Sequence, residues 1–242
     1  MSKRAGRLSL VAVVGLVAAM VAVGLVLASA IGYRTGGWDL RTSMDVYRWS
    51  RYLGMLALVL SVAGLIATRP GTGRRGLVPA LLGVALAVPV AAAALHWEYS
   101  VRAYPPINDI TTAPEEPPAF RELAEPGMYP GSETTAAQRR AYPELKPLEL
   151  NLSPNRAFDV ALAVARDLGW EVIAAEPVEG RIEAVDTTPL FGFKDDVVVR
   201  IQAANGVTRL DVRSHSRVGR SDLGVNAKRI RHYLDAVHAA AE

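Results

Sequence analysis

The chain has 242 residues, half of them hydrophobic, and no cysteine. That length accommodates one large or two ordinary domains. The missing thiols exclude disulfide frameworks, cysteine nucleophiles and cysteine-ligated zinc or iron–sulfur centres. The formal net charge of +3 averages two dissimilar parts, because residues 1–96 carry a net of +8 and residues 97–242 a net of −5.

In chain order the first features are three apolar stretches, Leu8–Ile31, Tyr52–Thr68 and Leu77–Leu95, none of which contains Asp, Glu, Lys, Arg or His. A helix crossing a hydrocarbon core needs about 20 apolar residues, so three transmembrane helices are predicted, the second near the short limit. Pro79 falls in the first turn of the third stretch, whereas Pro89 lies inside it and predicts a kink. The first stretch has a second reading as a signal peptide, with Lys3, Arg4 and Arg7 before it and Ala28-Ser29-Ala30 as a cleavage motif. Its apolar run exceeds the usual length of such a segment, which favours retention. Gly24 and Ala28 form a small-xxx-small pair suited to helix packing.

Basic residues flanking the spans favour an N-terminus inside and a C-terminal domain outside. Lys3, Arg4, Arg7, Arg69, Arg74 and Arg75 lie on one side, against Arg34, Arg41, Arg48, Arg51 and Arg102 on the other. Tyr33, Trp38, Tyr47, Trp49, Tyr52, Trp97 and Tyr99 sit near span ends, as an interfacial belt would. With no ionisable group inside the apolar runs, the helices are expected to anchor and pack rather than transport.

The expected division is a three-span anchor over 1–99, a Pro-rich extended linker over 100–150 and a soluble domain over 151–242. Nine of the 15 prolines lie between Pro105 and Pro147, amid scattered acids. Such a composition favours extended polyproline II chain, either running over the following domain or spacing it from the membrane. Ser153-Pro154 then gives a helix start, with Phe158, Leu162, Ala165 and Leu168 at helical spacing and Gly169 as the stop. Trp170–Ala175, Arg181–Thr188, Val197–Ala204 and Val207–Ser214 read as strands, the last two joined by Asn205-Gly206. That turn pairs Ala204 with Val207, Ile201 with Leu210, Val199 with Val212 and Arg200 with Asp211. A final helix from Ser221 or Asp222 carries a stripe of Leu223, Ala227, Ile230, Leu234, Val237 and Ala241. The expected fold is a two-layer α+β domain, a four-stranded antiparallel meander flanked by two helices.

Four segments, Pro105–Thr112 (PPINDITT), Gly180–Ala184 (GRIEA), Phe191–Ile201 (FGFKDDVVVRI) and Arg213–Ala227 (RSHSRVGRSDLGVNA), carry a resemblance. Across roughly residues 104–236 the chain resembles the family called domain of unknown function 1499. The resemblance implies a small envelope-associated domain, often membrane-anchored, and it implies no reaction.

A meander brings the loop between its second and third strands to the end where its fourth strand exits. Thr187, Thr188, Lys194, Asp195 and Asp196 are therefore expected to meet Arg213, Arg217, Arg220, Ser221 and Asp222 at one edge. One reading makes this edge a site for an anion or lipid headgroup beside the N-terminus of the last helix. The other has the arginines pairing with Asp195, Asp196 and the acidic linker. A catalytic reading would make Asp195 and Asp196 catalytic, with His215 as base and Ser214, Ser216 or Ser221 as nucleophile. No recognised hydrolase motif surrounds them, and the adjacent aspartates should face opposite ways. The four histidines show no metal-ligand spacing, so neither a metal nor a cofactor is expected. Phe191 and Phe193 read either as a membrane-dipping pair or as a plug at the end of the core. The acidic balance of the outer part argues against a nucleic-acid partner. The expectation is a non-enzymatic bacterial inner-membrane protein with its C-terminal domain in the periplasm, binding an envelope partner or small anionic ligand. The alternative is an envelope hydrolase or transferase acting on lipid or cell-wall material.

Overall fold

A computed structural model describes residues 7–123 and 127–242. Lys3 and Arg4, read above as part of a basic leader, lie outside the described residues. The chain divides into two compact units, residues 1–99 and 100–242.

The first unit is helical. Helix α1 spans Leu10–Arg34, α2 spans Leu40–Ala67 and α3 begins at Leu77 and runs to Ala103. All three are long and apolar enough to cross a membrane. Helix α2 is longer than the second apolar stretch, because it begins with a polar segment; Asp39 caps it by accepting from Thr42 N at 2.7 Å. Small residues let the helices touch. A Cβ on Gly15 would stand 2.7 Å from Ser61 Oγ, and one on Gly64 would stand 2.7 Å from Ala12 Cα. Gly24, expected to pack through a pair with Ala28, instead faces open space. The α1 packing face runs through Ala12, Gly15, Ala19 and Ala22, so Gly24 falls off it.

The second unit is an antiparallel sheet with helices. In chain order it contains β1 (Asp109–Thr111), α4 (Ser132–Ala141), β2 (Leu148–Leu150), α5 (Pro154–Asp167) and β3 (Glu171–Glu176). There follow β4 (Arg181–Thr187), β5 (Lys194–Ala204), β6 (Val207–Ser216) and α6 (Val225–Ala241). The sheet has six strands rather than the expected four. The central meander β3-β4-β5-β6 is present, and β1 and β2 both add to the free edge of β6. Both added strands come from residues 100–150, whose prolines and three-residue strands conceal any alternating pattern. The β5–β6 register matches the expected one at all four pairs, Ala204 with Val207, Ile201 with Leu210, Val199 with Val212 and Arg200 with Asp211. Asn205 and Gly206 take φ of 51° and 84°, the pair of positive values that a type I′ turn requires.

Helices α5 and α6 cover one face of the sheet over Ile182, Ala184, Val197, Val199, Ile201, Leu210 and Val212. Ser153 caps α5 by accepting from Arg156 N. Helix α6 starts at Val225, not Ser221 or Asp222, because Leu223 and Gly224 both take positive φ. Its buried stripe is Asn226, Ala227, Arg229, Ile230, Tyr233 and Val237. Tyr233 stacks on Trp170 at 4.7 Å and donates to Ala161 O at 2.9 Å.

The opposite face is polar yet also closed. Arg181, Glu183, Asp196, Asp211 and Arg213 point there, and all are buried. Irregular chain before α4 lies over them. Glu183, fully buried, accepts from the amides of Arg121, Glu122 and Leu123 and from the Arg181 guanidinium. The expected two layers thus gain a third of non-repetitive chain. Gln138 of α4 seals the edge: its amide donates to Thr111 O at 2.6 Å and accepts from Thr111 N at 2.9 Å, so β1 offers no open ladder there.

Gly180 sets the β3–β4 turn with φ +64°, and a Cβ there would overlap the carbonyl oxygen of Ile201. Gly180→Ala should lower stability by about 2–4 kcal/mol, since positive φ and a backbone clash coincide. Gly206→Ala, strained but with open space around it, should lose only about 1 kcal/mol. Denaturant midpoints of the two variants compare them directly.

Candidate functional site

Lys194, Asp195 and Asp196 belong to β5 itself, because strand pairing begins at Lys194 opposite Thr187. Alternation then sends the two aspartates to opposite faces. Asp195 faces the helices, where Arg229 Nη2 donates to it at 2.5 Å. The same guanidinium reaches Asp186 through Nε at 2.6 Å, Ser214 Oγ at 3.1 Å and the Asn226 side-chain oxygen. Asp196 faces the covering chain and is fully buried; Arg217 grips it through Nε at 3.0 Å and Nη2 at 2.8 Å.

Arg213, expected at the open edge, is 2% exposed within β6. It makes a two-pronged pair with Asp109, Nε at 2.9 Å and Nη2 at 2.7 Å, and donates to the carbonyls of Pro118 and Gly127. Phe120 and Tyr129 bracket the guanidinium with ring centroids 5.0 and 5.7 Å away. Burial pushes the Tyr129 phenol up to about 12, so it remains a donor to Gln138 at 3.1 Å. A cleft of about 580 Å³ opens above this pair between Pro114, Phe120, Met128 and Tyr129.

The two loops expected to converge do so. Arg217 N donates to Lys194 O at 3.2 Å, joining the β6 exit to the start of β5. The 217–224 loop is pinned by Asn108, whose amide donates to Ser216 O and Gly219 O, and by Asp222 N donating to Ile107 O. Ser221 Oγ donates to Pro105 O at 3.4 Å and accepts from Leu223 N. Asp222 is buried and accepts from Gly224 N at 2.8 Å and Asn226 N at 2.9 Å, closing the start of α6. Thr188 accepts from Phe193 N through its hydroxyl, and Thr187 is exposed. Phe191 is buried and stacks on Phe193 at 5.1 Å.

Exposed on this edge are Lys194 and Arg220, neither drawn into the buried pairs above. Beside it a groove of about 300 Å³ runs along α6 between Trp170, Val225, Lys228 and His232. The side chains around His215 do not make a nucleophile–base couple. Ser214 and Ser216 hydrogen-bond with Asn226 on the helix face, while His215 lies on the other, opposite Asp109 and Asp196. No cluster of three or more metal-ligating side chains occurs among the described residues.

Sequence reasoning gave no role to Asn108, Asp109, Asp186, Glu183, Asn226 or Arg229. All but Asp186 and Arg229 sit within the four segments quoted above; for Glu183, Asn226 and Arg229 the signal was a charged or amide residue inside an otherwise apolar strand or stripe, which demands a buried partner.

Removing one partner of a buried pair leaves an uncompensated charge, so Arg213→Met should lose about 3–5 kcal/mol. Adding Asp109→Leu should recover much of that loss, a double-mutant cycle readable in denaturant midpoints. Burial raises the Asp222 carboxyl above its ordinary value of 3.8. The folded state then holds this proton more tightly than the unfolded chain. Its contribution is fully present below pH 3.8 and is lost as pH rises through the raised value. Asp222→Asn should flatten the pH dependence of thermal unfolding in that window and leave its neutral-pH slope unchanged.

No curated protein matches the chain in sequence. The family model described as "Protein of unknown function (DUF1499)" matches residues 109–237. That match begins at the aspartate that pairs with Arg213 and ends on the last buried turn of α6, spanning more than half the sequence, and the chain belongs to this family.

Proposed function

We propose that this is an inner-membrane-anchored envelope protein whose external α+β domain binds a small anionic ligand or an anionic partner at the converged loop edge. The observation that carries the reading is the unequal fate of its cations. Arg181, Arg200, Arg213, Arg217 and Arg229 are held by carboxylates, while Lys194 at the start of β5 and Arg220 on the loop after β6 stand exposed. Strand pairing fixes Lys194 and Asn108 fixes the loop that carries Arg220, and preorganised loops on a sheet are common binding surfaces. Binding is favoured over catalysis because Ser214 and Ser216 point to the face of β6 opposite His215, while Ser221 Oγ is engaged with Pro105 O and Leu223 N. Anchoring by α1–α3 would place the domain in the periplasm, as the positive-inside bias suggests.

The test is retention of small molecules by the full chain purified from membranes, identified by mass spectrometry. Lys194→Ala with Arg220→Ala should reduce the retained anion about tenfold, about 1.4 kcal/mol, without lowering thermal stability. Arg217 is left in place because Asp196 depends on it. An undiminished yield would remove this edge from consideration, and loss on Lys228→Ala instead would move the site to the α6 groove. Recovery of a chemically altered molecule would favour the enzyme alternative.

A further inference from the structure

Arg51 is the unusual side chain of the helical unit. It lies in α2 where the polar first segment gives way to the apolar run Tyr52–Ala67, yet it is only 8% exposed. Its guanidinium carbon stands 4.6 Å from the centroid of Trp97 on α3 and 5.2 Å from that of Tyr47 one turn earlier. The two rings meet edge to face at 5.9 Å and form two walls around the cation. Among the described residues no carboxylate pairs with it, and its Nε is buried without a hydrogen-bond acceptor. The other arginines of this segment behave differently; Arg48 pairs with Asp45 at 2.9 Å on an open surface.

A guanidinium stripped of water needs a counter-charge, and stacking on aromatic faces offsets only part of the lost hydration. Its depth shows where that charge would come from. On α3 the apolar run ends at Leu95, and Trp97 and Tyr99 follow. Trp49 and Tyr52, edge to face at 6.0 Å, and Tyr99 are all more than half exposed near the same level. Exposed aromatics at the ends of apolar spans mark the headgroup layer of a bilayer, which is also the layer of lipid phosphates. A planar fork of donors matches phosphate oxygens two at a time.

We propose that Arg51, walled by Tyr47 and Trp97, is a binding site for the phosphate of an anionic phospholipid. It rests on the reading that α1–α3 span a bilayer and is independent of the loop edge of the outer domain. The cage holds the cation in place before the lipid arrives, so the site selects a headgroup rather than attracting counter-ions diffusely, as Arg48 would.

The experiment uses the full chain in detergent, with phosphatidylglycerol, phosphatidylcholine or inorganic phosphate added, and native mass spectrometry as the readout. Alkaline carbonate extraction separately establishes that each variant is integral to membranes. One phosphatidylglycerol should be retained by the unaltered chain, at an affinity about tenfold above that of phosphatidylcholine. Arg51→Gln should abolish the preference, Arg48→Gln should leave it intact, and Trp97→Leu should weaken it while the charge remains. If Arg51→Gln does not fold, Arg51→Lys and Trp97→Leu carry the test, the former keeping the charge but losing the fork. Equal phosphatidylglycerol retention by the Arg51 variants and the unaltered chain would overturn the proposal. Displacement of the lipid by millimolar inorganic phosphate would overturn the lipid assignment in favour of a free-anion site.

Discussion

The C-terminal unit depends on a sheet face that is buried and charged at once. Asp109, Glu183, Asp196 and Asp211 all lie at 1% exposure or less on it, and carboxylates in that position are tolerated only when paired and hydrogen-bonded. Each has its arginine: Arg213, Arg181, Arg217 and, for Asp211, both Arg200 and Arg209. Glu183 also draws three successive amides from the covering chain, a backbone nest of the kind that binds anions elsewhere. The cover is thus held by polar geometry where most domains use a second apolar layer. Its prolines suit that task, since they keep the chain extended and need few internal hydrogen bonds.

The same constraint shapes the candidate site. Alternation along β5 gives one aspartate to each face, and each recruits an arginine from after β6: Arg217 for Asp196 and Arg229 for Asp195. The two pairs tie the β6–α6 connection to the sheet from both sides, and Asn108 fixes it from β1. What stays exposed on this frame is Lys194 at the start of β5 and Arg220 on the loop after β6. The helical unit follows a different rule. Its helices approach closely because Gly15, Gly64 and Gly83 stand at the contacts, the packing that small residues permit between apolar helices. Arg51 is the exception to its apolar logic.

Much was legible from local pattern. The apolar runs announced three helices because a bilayer demands length and composition together. The Asn205-Gly206 turn, the alternation of Val197, Val199 and Ile201 and the Arg200–Asp211 pair fixed one register before any contact was known. The convergence of the 188–193 and 217–224 loops followed from meander topology alone. The extra strands were not legible, because three residues cannot display a period and Asp109 reads as a loop residue. Nor was the true stripe of α6, in which Asn226, Arg229 and Tyr233 replace the expected Leu223 and Leu234 on the deepest face. These polar residues were given no role, although their burial was secured by partners up to 118 positions away.

The sequence by itself determined three apolar helices, a proline-rich segment, the central meander and the family, since each rests on periodicity, composition or short turn chemistry that neighbouring residues decide among themselves. Only the tertiary structure decided which charges are exposed. Asp109 meets Arg213, and Asp195 meets Arg229, through pairings between distant segments. A charged side chain reads alike whether solvated or buried until its partner is found. That is why a cluster read as one open edge divides into buried pairs on two faces and two exposed cations, Lys194 and Arg220.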